Sequence, residues 1–299
     1  MYLPFMGSKG KPVMGLQSLD LQDWIEIGPS FVDQCEYKAW LLDHRHESVF
    51  SAIAGTQSAQ QEVLDLLLAH LVQRFSKIYR VVGEGKDCCI HNVKSQQVWR
   101  IAEFAQFPLD LAARLVQEDL CLMMPSDDTG HYRLVAASVC FPLRWKLVDK
   151  MAQSIGRIHG DVPGYAKRLE SPVDKVFSKL RVDYPGQRFN WSVVNSSELH
   201  LAEEKYATAN EPDITKNNVE KRLWLRVERQ TLRRLPVSGG VLFTIRTYVY
   251  PMVAVMAVSG APGELAQAIR SLSPNMQKYK NLLPFRAALL KYLDSQRTA

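Results

Sequence analysis

Val63, Leu66, Leu67, Leu71 and Phe75 recur at intervals of three and four, which predicts a helix over Ala59–Tyr79. Phe31–Arg45 reads the same way. A third helix is expected over Pro108–Glu118, because a proline's missing N–H costs nothing in a first turn. Gly83–His91 reads as a turn-rich connection and Asp127–Gly130 as a turn. Tyr132–Phe141, rich in Val, Ala and aromatic residues, reads as a strand, and Lys146–Ile155 as a short helix stopped by Gly156. The texture then changes. Arg188–Val194, Lys221–Gln230 and Val241–Tyr250 have strand character, and Leu235–Gly240 joins the last two as an antiparallel pair. Asn195-Ser196-Ser197 is a turn, and the polar stretch 202–219 reads as a long loop. Two amphipathic helices, Pro262–Leu272 and Asn281–Leu293, close the chain. Helices at both ends with strands gathered in the second half predict an α+β fold.

Composition narrows the class. Over 299 residues, 46% apolar and 23% charged content is that of a globular chain and excludes wholesale disorder. The longest apolar run, Tyr248–Val258, contains Pro251 and is far short of the ~20 residues a membrane helix needs, so no membrane association is expected. The N-terminus has no signal-peptide h-region. Five cysteines, Cys88 and Cys89 adjacent, form no disulfide framework, which points to a reducing cytoplasm. Lys221–Tyr250 holds seven basic residues and one acid, Glu228, and so carries the entire net charge of +6. A phosphate, a nucleic acid or the carboxylates of a cofactor would suit that field. The arginines alternate with apolar residues in strands, which argues against nucleic acid.

Common catalytic and cofactor motifs are absent: there is no GxGxxG after a strand, no HExxH, no CxxC and no CxxCH, and Gly7–Lys11 lacks Walker spacing. His44 and His46 stand two apart and would point to different faces of a continuing helix. His159 lies within Gly156–Gly164, a loop held in shape by three glycines and a proline and lined by Ile158 and Val162. Such a histidine can ligate a metal or a haem iron, or simply bond to backbone. Along Lys221–Gln230, Leu223, Leu225 and Val227 share one face, and Trp224, Arg226, Glu228 and Gln230 the other. Arg226, Glu228 and Arg246 are expected to line one pocket; a solvated face crossed by Arg–Glu pairs is the alternative. Asn190 and Trp191 carry polar tips that need partners if buried. Cys121, Met123, Met124 and Cys140 read as core.

Taken in order, several strings make a familiar set. They are Leu115–Leu120, Val139–Pro142 with Trp145 and Lys150, Ile158-His159 with Val162-Pro163-Gly164, Arg188–Trp191, Leu225–Pro236 and Phe243–Tyr248. The chain resembles the haem-dependent oxidative N-demethylase family, specifically its haem-binding alpha subunit, from about Trp24 to Pro251. Asp161 stands where the family's loop has a proline. The resemblance implies a PAS-like antiparallel sheet with surrounding helices over 21–255, holding one haem b. A mobile stretch, 1–20, would precede it and a helical segment, 256–299, would follow. It implies oxidation of a small methylated amine by dioxygen with release of formaldehyde. It makes His159 the axial ligand, places Lys150, Arg229 and Arg246 near the propionates and Asn190 and Trp191 around the haem, and puts Arg226 and Glu228 on the substrate side. Without a dinucleotide, flavin or iron–sulfur motif in the chain, electrons would come from a separate flavin or iron–sulfur reductase. A non-catalytic haem sensor of PAS type is the competing expectation.

Overall fold

A computed structural model describes residues 1–7, 15–126, 128, 130–203 and 213–296. The glycine–lysine stretch at 8–11, two positions of the 127–130 turn and residues 204–212 of the 202–219 loop lie outside the described residues. The strands are β1 (Gln17–Ser18), β2 (Phe50–Ala52), β3 (Tyr79–Val82), β4 (Cys89–Asn92), β5 (Gln97–Arg100), β6 (Asp119–Pro125), β7 (Tyr132–Ser138), β8 (Gly186–Val194), β9 (Trp224–Arg234) and β10 (Val241–Pro251). Seven of them form an antiparallel sheet in the order β1-β8-β9-β10-β6-β7-β2, and β3, β4 and β5 form a small second sheet. With helices packed on both faces of the large sheet, the fold is α+β.

Side-chain alternation divides the work between the faces. On one face Leu120, Leu122, Ala136 and Leu242 pack against the helices Phe31–His44, Gln57–Arg74 and Pro108–Leu115. Further along the same face Val193, Leu225 and Val227 pack against Ala261–Ser271 and Arg286–Gln296 through Leu265, Ile269, Leu289 and Leu293. Each such fully buried aliphatic side chain contributes ~1.5–3 kcal/mol. On the opposite face Cys121, Met123, Leu232 and Val241 meet Ile155, Tyr165 and Phe177, from the short helices Ile155–Ile158, Tyr165–Arg168 and Glu170–Lys179. Phe5 is buried in the core of the C-terminal helices, Leu19 is buried, and the Tyr2 hydroxyl donates to Glu26 Oε1 at 2.5 Å. The ends of the expected mobile stretch are therefore packed, and residues 256–296 share a core with the sheet.

Two local expectations need correction, and one strand was not anticipated although its core residues were. The connection Gly83–His91 runs into strand β4, whose four residues are too few to reveal a period. Lys146–Ile155 is not a helix: a single 3₁₀ turn spans Leu147–Asp149, Ala152 takes φ 62°, and a helical turn begins at Ile155, where Ser154 accepts from Arg157 N–H. The expected core residues Cys121, Met123 and Met124 belong to β6, which is buried on both faces and so shows no alternation. No helix among the described residues is long and apolar enough to cross a membrane.

Candidate functional site

The register of the β9–β10 hairpin decides which charged residues meet. Arg234 pairs with Val241 across a six-residue connection, so even-numbered residues of one strand stand opposite odd-numbered residues of the other. Arg246 faces Arg229, and Thr247 faces Glu228. Since opposed residues project to the same side of a sheet, Arg246 and Arg229 lie on one face and Arg226 and Glu228 on the other. The expected pocket of Arg226, Glu228 and Arg246 is therefore not formed.

Arg229 and Arg246 serve the helical face. Arg229 donates to Asp23 O at 2.5 Å, Trp24 O at 3.3 Å and Gln187 Oε1 at 3.0 Å, with Glu26 at 3.8 Å. Arg246 donates to Gln34 Oε1 at 2.5 Å and lies over the Tyr248 ring. Both are buried, and together they fasten residues 23–34 to the sheet. Trp191 shares this face with Val227 and meets Phe5 edge-on at 5.8 Å. Arg226, on the opposite face, donates to three carbonyls: Phe141 at 2.6 Å, Leu199 at 3.0 Å and Glu198 at 3.4 Å. Its guanidinium ties two loops to the sheet.

A second set of groups gathers on the face of Glu228. Asn190 and Arg188 on β8 stand opposite Glu228 and Gln230 on β9. Gln230 Nε2 donates to Glu228 Oε2 at 2.9 Å, and Asn190 Nδ2 to the same oxygen at 3.4 Å. Each amide is oriented by a cation: Arg188 Nη1 donates to Gln230 Oε1 at 3.0 Å, and Lys280 Nζ to Asn190 Oδ1 at 3.2 Å. The result is a chain of cation, amide, carboxylate, amide and cation centred on one carboxylate oxygen. Glu228 Oε1 accepts no hydrogen bond from the described residues, and Phe243 and Ile245 on this face are half-buried.

His159 joins this cluster from above. It follows the helical turn Ile155–Ile158, and its Nδ1 lies 2.9 Å from Ile155 O. A carbonyl only accepts, so Nδ1 carries the proton and Nε2 keeps its lone pair. The ring stacks on Tyr165 at 5.0 Å and 12°. Burial holds its pKa below the usual histidine value, the Ile155 carbonyl opposes this, and Arg188 and Lys150 lower it further. Lys150 donates to Ile158 O at 3.0 Å and approaches Asp161 at 3.7 Å, which clamps the loop. Gly156 leaves room for Glu170, since a Cβ there would fall 2.4 Å from a Glu170 carboxylate oxygen and push that side chain aside, and Gly164 takes φ 78° before the next helical turn.

Of the residues expected from sequence, the structure brings together His159, Lys150, Asn190 and Glu228, and separates Arg229, Arg246 and Trp191 from them. Arg188, Gln230, Lys280 and Tyr165 were missed as site residues. For Gln230, strand alternation with Glu228 was the available signal, and for Arg188 its alternation with Asn190. Lys280 had none. A cavity of about 640 Å³ elsewhere is lined by His44, His46, Trp145, Lys146 and His200. It contains none of this cluster, and His46 is committed to Asp110 at 2.7 Å, so the site is assigned to the His159–Glu228 face on chemistry.

The donor set suits an anionic planar cofactor with one histidine ligand. Among the described residues no three His, Cys, Asp or Glu side chains converge as a metal site; a haem iron, already held by four pyrrole nitrogens, asks the protein for only one. His159 Nε2, with its lone pair uncommitted, has the chemistry of such a ligand, and Arg188 and Lys150 suit carboxylates. Two buried hydroxyls on this side, of Tyr165 and Thr247, have no hydrogen-bond partner among the described residues. These residues fit a haem. Residues 15–290 match the family described as haem-dependent oxidative N-demethylase, alpha subunit-like, and the chain belongs to that family. The family name indicates a haem-dependent oxidoreductase of N-demethylase type.

Proposed function

We propose that the protein removes a methyl group from a small secondary or tertiary amine as formaldehyde, using haem b, dioxygen and two electrons from a separate flavin or iron–sulfur reductase. In the balance, one oxygen atom leaves in formaldehyde and the other as water. Bound haem would supply the dioxygen chemistry. The chain supplies the surroundings. His159, its tautomer set by Ile155 O, offers Nε2 to the iron. Arg188 and Lys150 provide positive charge for propionates. Glu228 presents Oε1 to the ammonium of the substrate while its other oxygen is held by two amides. Phe243 and Ile245 offer an apolar wall for the methyl groups.

The observation that carries this reading is the pairing, on one sheet face, of a histidine with one committed nitrogen and a carboxylate with one committed oxygen. The visible spectrum of the purified protein tests the first half: a Soret band is expected, and His159→Ala should lose most haem or change the ligation state. Formaldehyde release from a panel of methylamines with a reductase tests the second. Haem-loaded protein that binds no amine and releases no formaldehyde would be a sensor instead.

A further inference from the structure

Lys280 comes from the C-terminal region, to which sequence reasoning assigned no part in the site. It caps the short helix Pro274–Tyr279 and reaches over the edge of β8. Beyond Gln187, β8 has no neighbouring strand on that side among the described residues, since β1 pairs only with Gly186 and Gln187. The Lys280 stem is partly exposed, but its ammonium is enclosed: it donates to Trp191 O at 2.5 Å and Asn190 Oδ1 at 3.2 Å and lies 5.1 Å from the Trp191 ring centroid. The groups acting on it are Glu228 on β9, Arg188 on β8 and Arg144 in the loop after β7.

The geometry points to Lys280 as a positioning residue for amine recognition, acting through Asn190 on Glu228. This rests on the reading of Glu228 as the ammonium receptor. With its oxygen held by a cation that can only donate, the Asn190 amide must turn its Nδ2 toward Glu228. That bond, with the one from Gln230, fixes which carboxylate oxygen is committed and which is open. Without the ammonium, the amide is free to flip and present its oxygen to the carboxylate, a repulsive contact that would turn Glu228 away. Burial lowers the pKa of Lys280 to about 8 against the attraction of Glu228, with Arg188 and Arg144 lowering it further, so the cation is held at a cost in a place where a neutral group would be easier to bury. The C-terminal helices thus complete the substrate side of the site.

The test uses haem-loaded protein and spectral titration with dimethylammonium and trimethylammonium salts, alongside turnover. Lys280→Met should keep haem content and Soret position, weaken amine binding about tenfold and raise KM more than it lowers kcat. Lys280→Arg should restore most of the affinity. Asn190→Leu leaves the bond to Trp191 O in place but removes the link, so it should give the same defect, and the double variant no further loss. Unchanged amine affinity in Lys280→Met overturns the inference. If Lys280→Met fails to fold or loses haem, the Asn190→Leu result decides: wild-type affinity there means Lys280 only caps the strand edge. Should Glu228→Gln also bind amine normally, the receptor reading fails, and this inference fails with it for that separate reason.

Discussion

Replacing Glu228 by glutamine tests the recognition chemistry most directly, because the change keeps shape and reverses the polarity of one atom. Asn190 Nδ2 and Gln230 Nε2 both donate to Glu228 Oε2. A glutamine must place its carbonyl oxygen there to keep those bonds, which turns its NH₂ to the open side. Two donors, the new amide and the substrate ammonium, would then face each other. A hydrogen bond to a charged group contributes ~1.5–3 kcal/mol, so its loss predicts about ten- to hundredfold weaker amine binding. The ammonium–amide clash places the outcome toward the upper end. The assay is spectral titration of haem-loaded protein with a methylamine series, with the Soret band of the amine-free protein as the control for site integrity. A variant with intact haem and wild-type affinity would refute the assignment of Glu228 as the ammonium receptor.

Other outcomes follow from groups outside that pair. Arg226→Met should lower stability by ~3 kcal/mol or more, because it strands the carbonyls of Phe141, Leu199 and Glu198, and thermal unfolding checks this; lost turnover at an unchanged Tm would return Arg226 to the reacting centre. Gly164→Ala forces a side chain into the left-handed region at a cost of ~1–2 kcal/mol and loosens the His159 loop, so haem content after gel filtration should drop. Burial pushes His159 below 6.5, and burial with Arg233 and Arg74 pushes His70 to about 4. The unfolded chain then binds more protons, so stability should be full above pH 6.5 and decline from there toward pH 4, read from urea midpoints of the haem-free protein; a flat profile would contradict the burial of both rings.

The hairpin was legible in the sequence because Leu225 and Val227 alternate with charged residues, and its face assignment within each strand holds. The pairing of Arg226 with Arg246 failed for a reason of counting: alternation fixes faces within a strand, while the residues between Arg234 and Val241 fix how the two strands relate. The turns that hold His159 were legible from their glycines. The committed nitrogen was not, because Ile155 was placed at the end of a helix it begins. Strand β6 was hidden by burial on both sides, and Lys280 by sequence distance: nothing local to residue 280 says that it will lie against Asn190.

Phe5 shares a core with Leu289 and Leu293. During synthesis the strands that carry Glu228 are made before the helices that cover Leu225 and Val227, and before Lys280. The nascent chain must therefore keep an apolar sheet face from aggregating until those helices are made. A cofactor arriving earlier would meet His159 but not the finished carboxylate, so the complete site exists only once Phe5 and the helices that carry Leu265 and Leu289 have closed on the sheet.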